Sequence, residues 1–297
     1  MNLQKHMLLD EDGKRYAPRR GESPAVPRQG MQSGKRTRLI IKDGRIVAFV
    51  LLFGSFILYY IFTRMMEQGK AFKIRRLAPL EAMPEAVGRC AEMGKPIYYM
   101  PGIGTSLSLI SGAYTLAGIT ILGRLASFAA KAGVRIRLFT VTIDAMPLIQ
   151  ETLKNAYAAE GRTEMYSDDD IELIANQSSL VSRYIGAVQR EKPAAACLIG
   201  YLAYESVVLA EAGNLIGALQ ISGTVNLYQI PFLVASTDYT LIMEEVFAAA
   251  AAVSGDAGAV GPIAAEDMTK LVSLGIMILG MILAPLGIKF LVELLRM

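Results

Sequence analysis

The sequence predicts an α/β domain, a mainly parallel, open, Rossmann-like sheet, flanked by two transmembrane helices. Two observations carry that expectation. Uncharged apolar stretches of 18 residues, Ile46–Thr63 and Leu271–Ile288, stand near the two ends of the 297-residue chain, and each is long enough to cross a bilayer as a helix. Between them, strand-like runs alternate with helix-like runs, the pattern of a parallel sheet covered by helices, with about five strands expected. The implied organisation is a basic tail over 1–45, a membrane helix over 46–63 and a basic linker over 64–83. An α/β domain over 84–265 follows, then a second membrane helix and short tail over 268–297.

The elements follow in order. Residues 1–44 are rich in Arg, Lys, Gly and Pro without apolar periodicity, which predicts a disordered tail. The first apolar stretch begins too late for a signal peptide, and Tyr59 and Tyr60 lie near its end, where aromatic side chains favour the bilayer interface. Pro84–Gly94 is amphipathic and reads as a helix; Lys95–Met100 reads as a strand, with a turn at Pro101–Gly104. A helix is expected over Ala113–Gly133, a strand over Val134–Ile143, and a helix from Pro147 to Glu160. Ser167 and the acids Asp168, Asp169 and Asp170 suit a helix start, with that helix running to Arg190. Further strands are expected at Ala194–Gly200, Leu215–Ser222 and Gln229–Ser236, and helices at Tyr204–Ala212 and Tyr239–Ser254.

Charge is unevenly spread. Residues 1–45 hold 11 basic and 5 acidic side chains, residues 64–76 hold five basic and one acidic, and residues 77–266 hold 11 basic and 19 acidic. The basic segments beside the first apolar stretch suit anionic lipid headgroups. The acidic domain lacks the basic balance of a nucleic-acid binder, so no nucleic-acid partner is expected. His6 is the sole histidine, and Cys90 and Cys197 are the two cysteines. That composition excludes a Ser-His-Asp triad, a Cys-His pair and the usual zinc sites, so no metal centre is expected. It names no cofactor, and leaves carboxylates, Lys, Arg, Tyr and backbone groups for any chemistry.

In open α/β sheets ligands bind beyond the strand carboxyl ends. Those ends nominate Gly102, Gly104, Asp144, Glu205 and Asp238 as ligand-binding candidates. Gly102 and Gly104 form either a plain tight turn or an anion cradle of backbone N–H groups. Leu107 stands where a dinucleotide fingerprint requires glycine, and no P-loop lysine follows. Asp238 reads either as a helix cap or as one of a carboxylate pair with Glu205, able to share a proton or hold a divalent cation. The run Asp168–Asp170 lacks the spacing of a calcium loop.

Several segments resemble an uncharacterised prokaryotic membrane-protein family with a domain of unknown function. They are Glu85-Ala-Val-Gly-Arg89 with Glu92-Met-Gly94-Lys-Pro96, Ile121-Leu-Gly-Arg124, and Glu191-Lys-Pro-Ala through Gly200-Tyr-Leu-Ala-Tyr-Glu205. Leu209-Ala-Glu211-Ala-Gly213, Ala218-Leu-Gln220-Ile-Ser-Gly223 and Asp238-Tyr-Thr-Leu-Ile with Glu244-Glu245 extend it over roughly residues 70–260. The resemblance implies a membrane helix, a basic juxtamembrane run, an α/β domain and a C-terminal apolar segment, and assigns no activity. The long basic tail departs from that pattern.

A rival reading makes spans of Ile97–Gly123 and Pro193–Ala210 as well, giving a four-span channel or transporter subunit. Interrupting Pro and Gly residues and the polar Glu205 oppose it. The expected function is therefore a membrane-anchored binding or assembly module, pairing with itself or another membrane protein. An enzyme or ligand receptor at the strand ends is the alternative. For a multi-pass cell-membrane protein the basic tail favours tail-inside, whereas the domain-side basic cluster that the resemblance implies, with sparse cysteine, favours a cytoplasmic domain, which is the expectation adopted.

Overall fold

The computed structural model describes residues 8–9, 15–16, 46–68, 75–104 and 106–283. The chain forms two units, Met1–Asp43 and Gly44–Met297. In the first, Leu8–Leu9 pairs antiparallel with Arg15–Tyr16, inside the tail expected to be disordered. The rest of that tail, linker residues 69–74 and the end of the second apolar stretch past Leu283 lie outside the described residues.

The second unit is built on a six-stranded, all-parallel sheet. In chain order its strands are β1 (Ile97–Gly102), β2 (Ile136–Thr140), β3 (Ile171–Leu173), β4 (Ala195–Tyr201), β5 (Leu219–Thr224) and β6 (Tyr239–Ile242). Their spatial order is β3-β2-β1-β4-β5-β6, the doubly wound Rossmann order, which reverses between β1 and β4. β1 and β5 are buried along their whole length and β4 up to its last residue, as a sheet covered on both faces requires.

Helices α1 (Ile46–Glu67), α2 (Ala78–Glu81) and α3 (Met83–Met93) precede the sheet. Pro84 starts α3 with a pre-set φ, and Gly94 ends it at φ 62°. The crossovers are α4 (Ile110–Ala132), α5 (Met146–Ala159), α6 (Gln177–Glu191), α7 (Glu205–Leu215) and α8 (Ile230–Ser236). After β6 come α9 (Glu245–Ser254) and α10 (Ala257–Leu283). One face of the sheet packs Ile97, Tyr99 and Leu138 against α3, α4, α5 and α9. The other packs Tyr98, Met100 and Phe139 against α6 and α7, and Tyr98, Phe139 and Tyr184 form a ring cluster with centroids 5.1–5.7 Å apart.

Three expectations are corrected here. Gln229–Ser236 is not a strand: Pro231 stands in the first turn of α8, where its ring favours a helix. The sixth strand is instead Tyr239–Ile242, which the sequence reading had merged into a helix. The helix expected from Asp168 begins only at Gln177. Ser167 caps a single 3-10 turn over the three acids, β3 follows, and Asn176 caps α6 by accepting the Ser179 N–H at 2.9 Å.

The contested apolar runs are each divided between sheet and helix. Ile97–Gly123 supplies β1 and half of α4; Pro193–Ala210 supplies β4 and half of α7. Among the described residues α4 is the one helix long and apolar enough to cross a membrane, and 56% of that stretch is buried within the unit. By contrast, α1 and α10 pack antiparallel against each other. Gly261 meets the backbone of Thr63, and Ser55, Phe56 and Tyr59 face Pro262, Ala265 and Thr269. Their large apolar side chains, among them Phe53, Phe56, Tyr60, Leu271, Met277 and Met281, remain exposed.

Candidate functional site

The strand order reverses between β1 and β4, so the crevice where such sheets receive ligands lies beyond Gly102 and Tyr201. Two glycines shape it. Gly102 has φ 95°, and a Cβ there would stand 2.5 Å from the Tyr201 nitrogen; Gly200 would meet the Pro101 carbonyl at 2.2 Å. Only glycine permits this approach and conformation. The two strands therefore stay joined at their ends, with the Ile103 N–H donating to the Tyr201 carbonyl at 2.8 Å. Gly102 is thus the last residue of β1 rather than part of a separate turn.

The loop from β1 to α4 folds down onto β2. Asp144, just past β2, accepts from the Ser106 hydroxyl at 2.6 Å and the Leu107 N–H at 2.9 Å. Those bonds, the hydroxyl first, hold its carboxyl below the usual carboxylate range. Thr142 donates its hydroxyl to the Gly104 carbonyl. Gly104 lies against Thr115 and Ser111 of α4, and Gly112 against the Leu107 backbone. Further along, Gly118 brings α4 onto β4, where a Cβ would stand 2.4 Å from the Ile199 carbonyl oxygen. Gly102, Gly104 and Asp144 thus form one group at the carboxyl end of β1 and β2.

Glu205 opens α7 on the far side of the switch point and is fully buried. It accepts from the Ala203 N–H at 2.7 Å and from the side-chain amide of Gln177. Gln177 opens α6, so the Glu205 side chain ties the starts of α6 and α7 together. Among the described residues it makes no ion pair. Asp238 lies elsewhere. It precedes β6, at the amino end of the sheet, where it accepts the Gln220 N–H at 2.7 Å. With Gln229–Ser236 helical rather than extended, Asp238 moves from the carboxyl end to the opposite one. The carboxylate pair of Glu205 with Asp238 is therefore not formed.

The sequence reading missed Gln177, Ser106, Thr142 and Gly200. Of these only Gly200 left a signal, a glycine closing an otherwise apolar buried strand. It also missed the amino end of the sheet. There Arg137 pairs with both Glu172 and Glu191, Arg183 joins Glu172 at 2.9 Å, and Tyr98 donates to Glu191 at 2.9 Å. A neighbouring cavity of about 490 Å³ is lined by Lys95, Arg135, Arg190 and Glu191. It sits where α3, α4 and α6 end, and cations at helix C-termini offset the local negative dipole. Cys90 at its edge is buried, and burial pushes its thiol up to about 12. Among the described residues no three His, Cys, Asp or Glu side chains gather as metal ligands.

Fold and site together define a doubly wound, Rossmann-like α/β module whose switch point is framed by close-packed glycines and hydrogen-bonded acids. The chain belongs to the family described as a domain of unknown function, DUF6754, whose model matches residues 36–295. No curated protein matches the chain.

Proposed function

We propose that this chain is a membrane-anchored α/β module that binds or assembles with a partner rather than catalysing a reaction. One observation carries the reading: α1 and α10 pair with each other yet leave bulky apolar side chains exposed around them. A helix apolar on all sides belongs in a protein core or a bilayer. The uncharged run of α1 and the run that α10 begins at Leu271 supply that character, in keeping with the resemblance to prokaryotic membrane proteins. The basic segments beside α1 suit anionic headgroups, and the acidic domain then lies in the cytoplasm.

The absence of catalysis is supported by how the acids are used. Asp144 tethers a loop, Glu205 ties two helix starts together, and Asp238 holds a strand at the other end. The small residues of Ala248–Gly261 permit close helix contact but use it within the chain, Ala248, Ala249 and Ala251 being buried and Gly261 against Thr63, so assembly is supported by the exposed apolar side chains of α1 and α10. Native mass spectrometry of the full chain in mild detergent tests the reading. A discrete oligomer or protein complex without a small molecule is expected. A retained metabolite converted on incubation would overturn it.

The strand order favours a second reading, a ligand receptor at the switch point. Alanine at Asp144 and at Glu205 would then change affinity for a co-purifying ligand.

A further inference from the structure

The two ends of the sheet differ in what they expose. Each of the six strand carboxyl ends presents a large apolar side chain to the outside: Ile110, Ile143, Leu173, Tyr204, Tyr228 and Met243. Ile110 is 84% and Tyr228 82% exposed. Leu109 and Leu227 add second apolar groups to two of these loops. The acids at this end are engaged: Asp144 by Ser106 and Leu107, Glu205 by burial, Glu244 by Lys270 at 2.7 Å, Glu245 by Arg75 at 2.6 Å. The opposite end exposes two large apolar side chains among the described residues, Met93 and Leu215, amid many charges. Isolated exposed apolar residues are ordinary; a set gathered at one end of a sheet is not.

The anchor helices leave from the same end. α10 starts beyond the C-terminus of α9 and climbs back along α9 and α4. The Lys270–Glu244 pair marks where it regains the level of the strand carboxyl ends. Leu271–Leu283 then continues about 20 Å past that level, at about 1.5 Å per residue. α1 lies antiparallel beside it: residues 55–63 run alongside 269–261 at the level of the domain, and the residues before Ser55 continue past the strand ends with α10, Leu51, Leu52 and Phe53 exposed there.

We infer that the carboxyl-end loops lie in the bilayer interface, with Ile110, Ile143, Tyr204 and Tyr228 sunk among headgroups and upper acyl chains. This rests on the membrane-anchor reading and extends it. The domain is not a sphere on a stalk; it sits face-down on the lipid beside its own helices. Tyrosine has an apolar ring and a polar tip suited to that depth. Arg75 and Arg76 stand exposed at the rim, Arg75 held to Glu245 beside β6, where anionic headgroups attract them.

The chain contains no tryptophan, so a single introduced one reports without background. Full-length variants carrying Tyr228→Trp, Ile110→Trp, Leu215→Trp or Met277→Trp are reconstituted into phosphatidylcholine–phosphatidylglycerol vesicles with brominated acyl chains, which quench nearby indole emission. All four positions are exposed, so folding is preserved. Quenching is expected at Tyr228→Trp and Ile110→Trp, as at Met277→Trp in α10, with Leu215→Trp unquenched. Quenching at Met277→Trp alone would leave the anchor standing and overturn the face-down placement; blue-shifted but unquenched loop emission would assign the face to a second copy or another protein. No quenching at Met277→Trp would remove the anchor, and this inference with it.

Discussion

The amino end of the sheet is a charged, interlocked surface, and the carboxyl end is an apolar one. At the first, Arg137 joins Glu172 and Glu191, Arg135 pairs with Asp170, and Lys131 with Glu160. At the second, apolar side chains project from loops whose few acids are already engaged. One fold therefore presents a charged end and an apolar end across a sheet only a few residues long. The difference shows that the fold alone does not decide what each end presents; the residues at the strand ends do.

The sharpest way to break the comparison is at the ion network. Arg137 is 16% exposed, and replacing it with Met leaves two acids without their shared cation. A loss of about 3–5 kcal/mol is expected, read as the shift in denaturant midpoint of the full chain in detergent. An unchanged midpoint would show that the amino end is not held by this network. Next in size is Gly118→Ala, which drives a methyl into the Ile199 carbonyl oxygen. Overpacking there is expected to cost about 1–3 kcal/mol in the same unfolding curve.

A smaller, local effect is expected at Asp144. Its replacement by Ala frees Ser106 and Leu107, so amide exchange over 103–112 accelerates while the unfolding midpoint holds. The same loosening follows acidification. A carboxyl held below its ordinary value contributes stability above that value and loses it as pH falls through the lowered one. The tether therefore weakens only below about pH 3.8. Loop exchange already fast at neutral pH would rule the tether out. The smallest effect belongs to Tyr228→Ser. Its side chain is exposed, so the midpoint in detergent moves by under about 0.5 kcal/mol, whereas attachment of the loop face to vesicles weakens. The thiols complete the series: Cys90 and Cys197 are free and buried, so alkylation at pH 8 is negligible until the chain unfolds.

Much of the architecture was legible in the sequence because buried parallel strands and their crossover helices alternate at a readable spacing. The runs that became β1, β2, β4 and β5 stood out as apolar, β-branched or bounded by Gly and Pro. The short edge strands did not. Ile171–Leu173 is three residues after an acidic turn, and Tyr239–Ile242 runs straight into a helix former. Reading Gln229–Ser236 as extended had the largest consequence, because it carried Asp238 to the wrong end of the sheet. Gly102, Gly104, Asp144 and Glu205 were nominated one by one, since the strand-end rule depends only on topology; that the first three meet was not legible. Ser106 and Thr142, which bind Asp144 and Gly104, and Gln177, which binds Glu205, left no signal, because which hydroxyl or amide meets which acceptor is decided by tertiary packing. The apolar face left no periodic trace: its side chains come from six separate strand ends and the segments that follow them, and only the sheet order gathers them.

The most direct test of the account is the behaviour of the full chain in its native membranes under an alkaline carbonate wash. An integral anchor formed by α1 and α10 predicts that the protein stays with the lipid pellet and is released only by detergent. Release into the supernatant by the wash alone would contradict it, and would reassign both exposed helices and the apolar loops to contacts with protein.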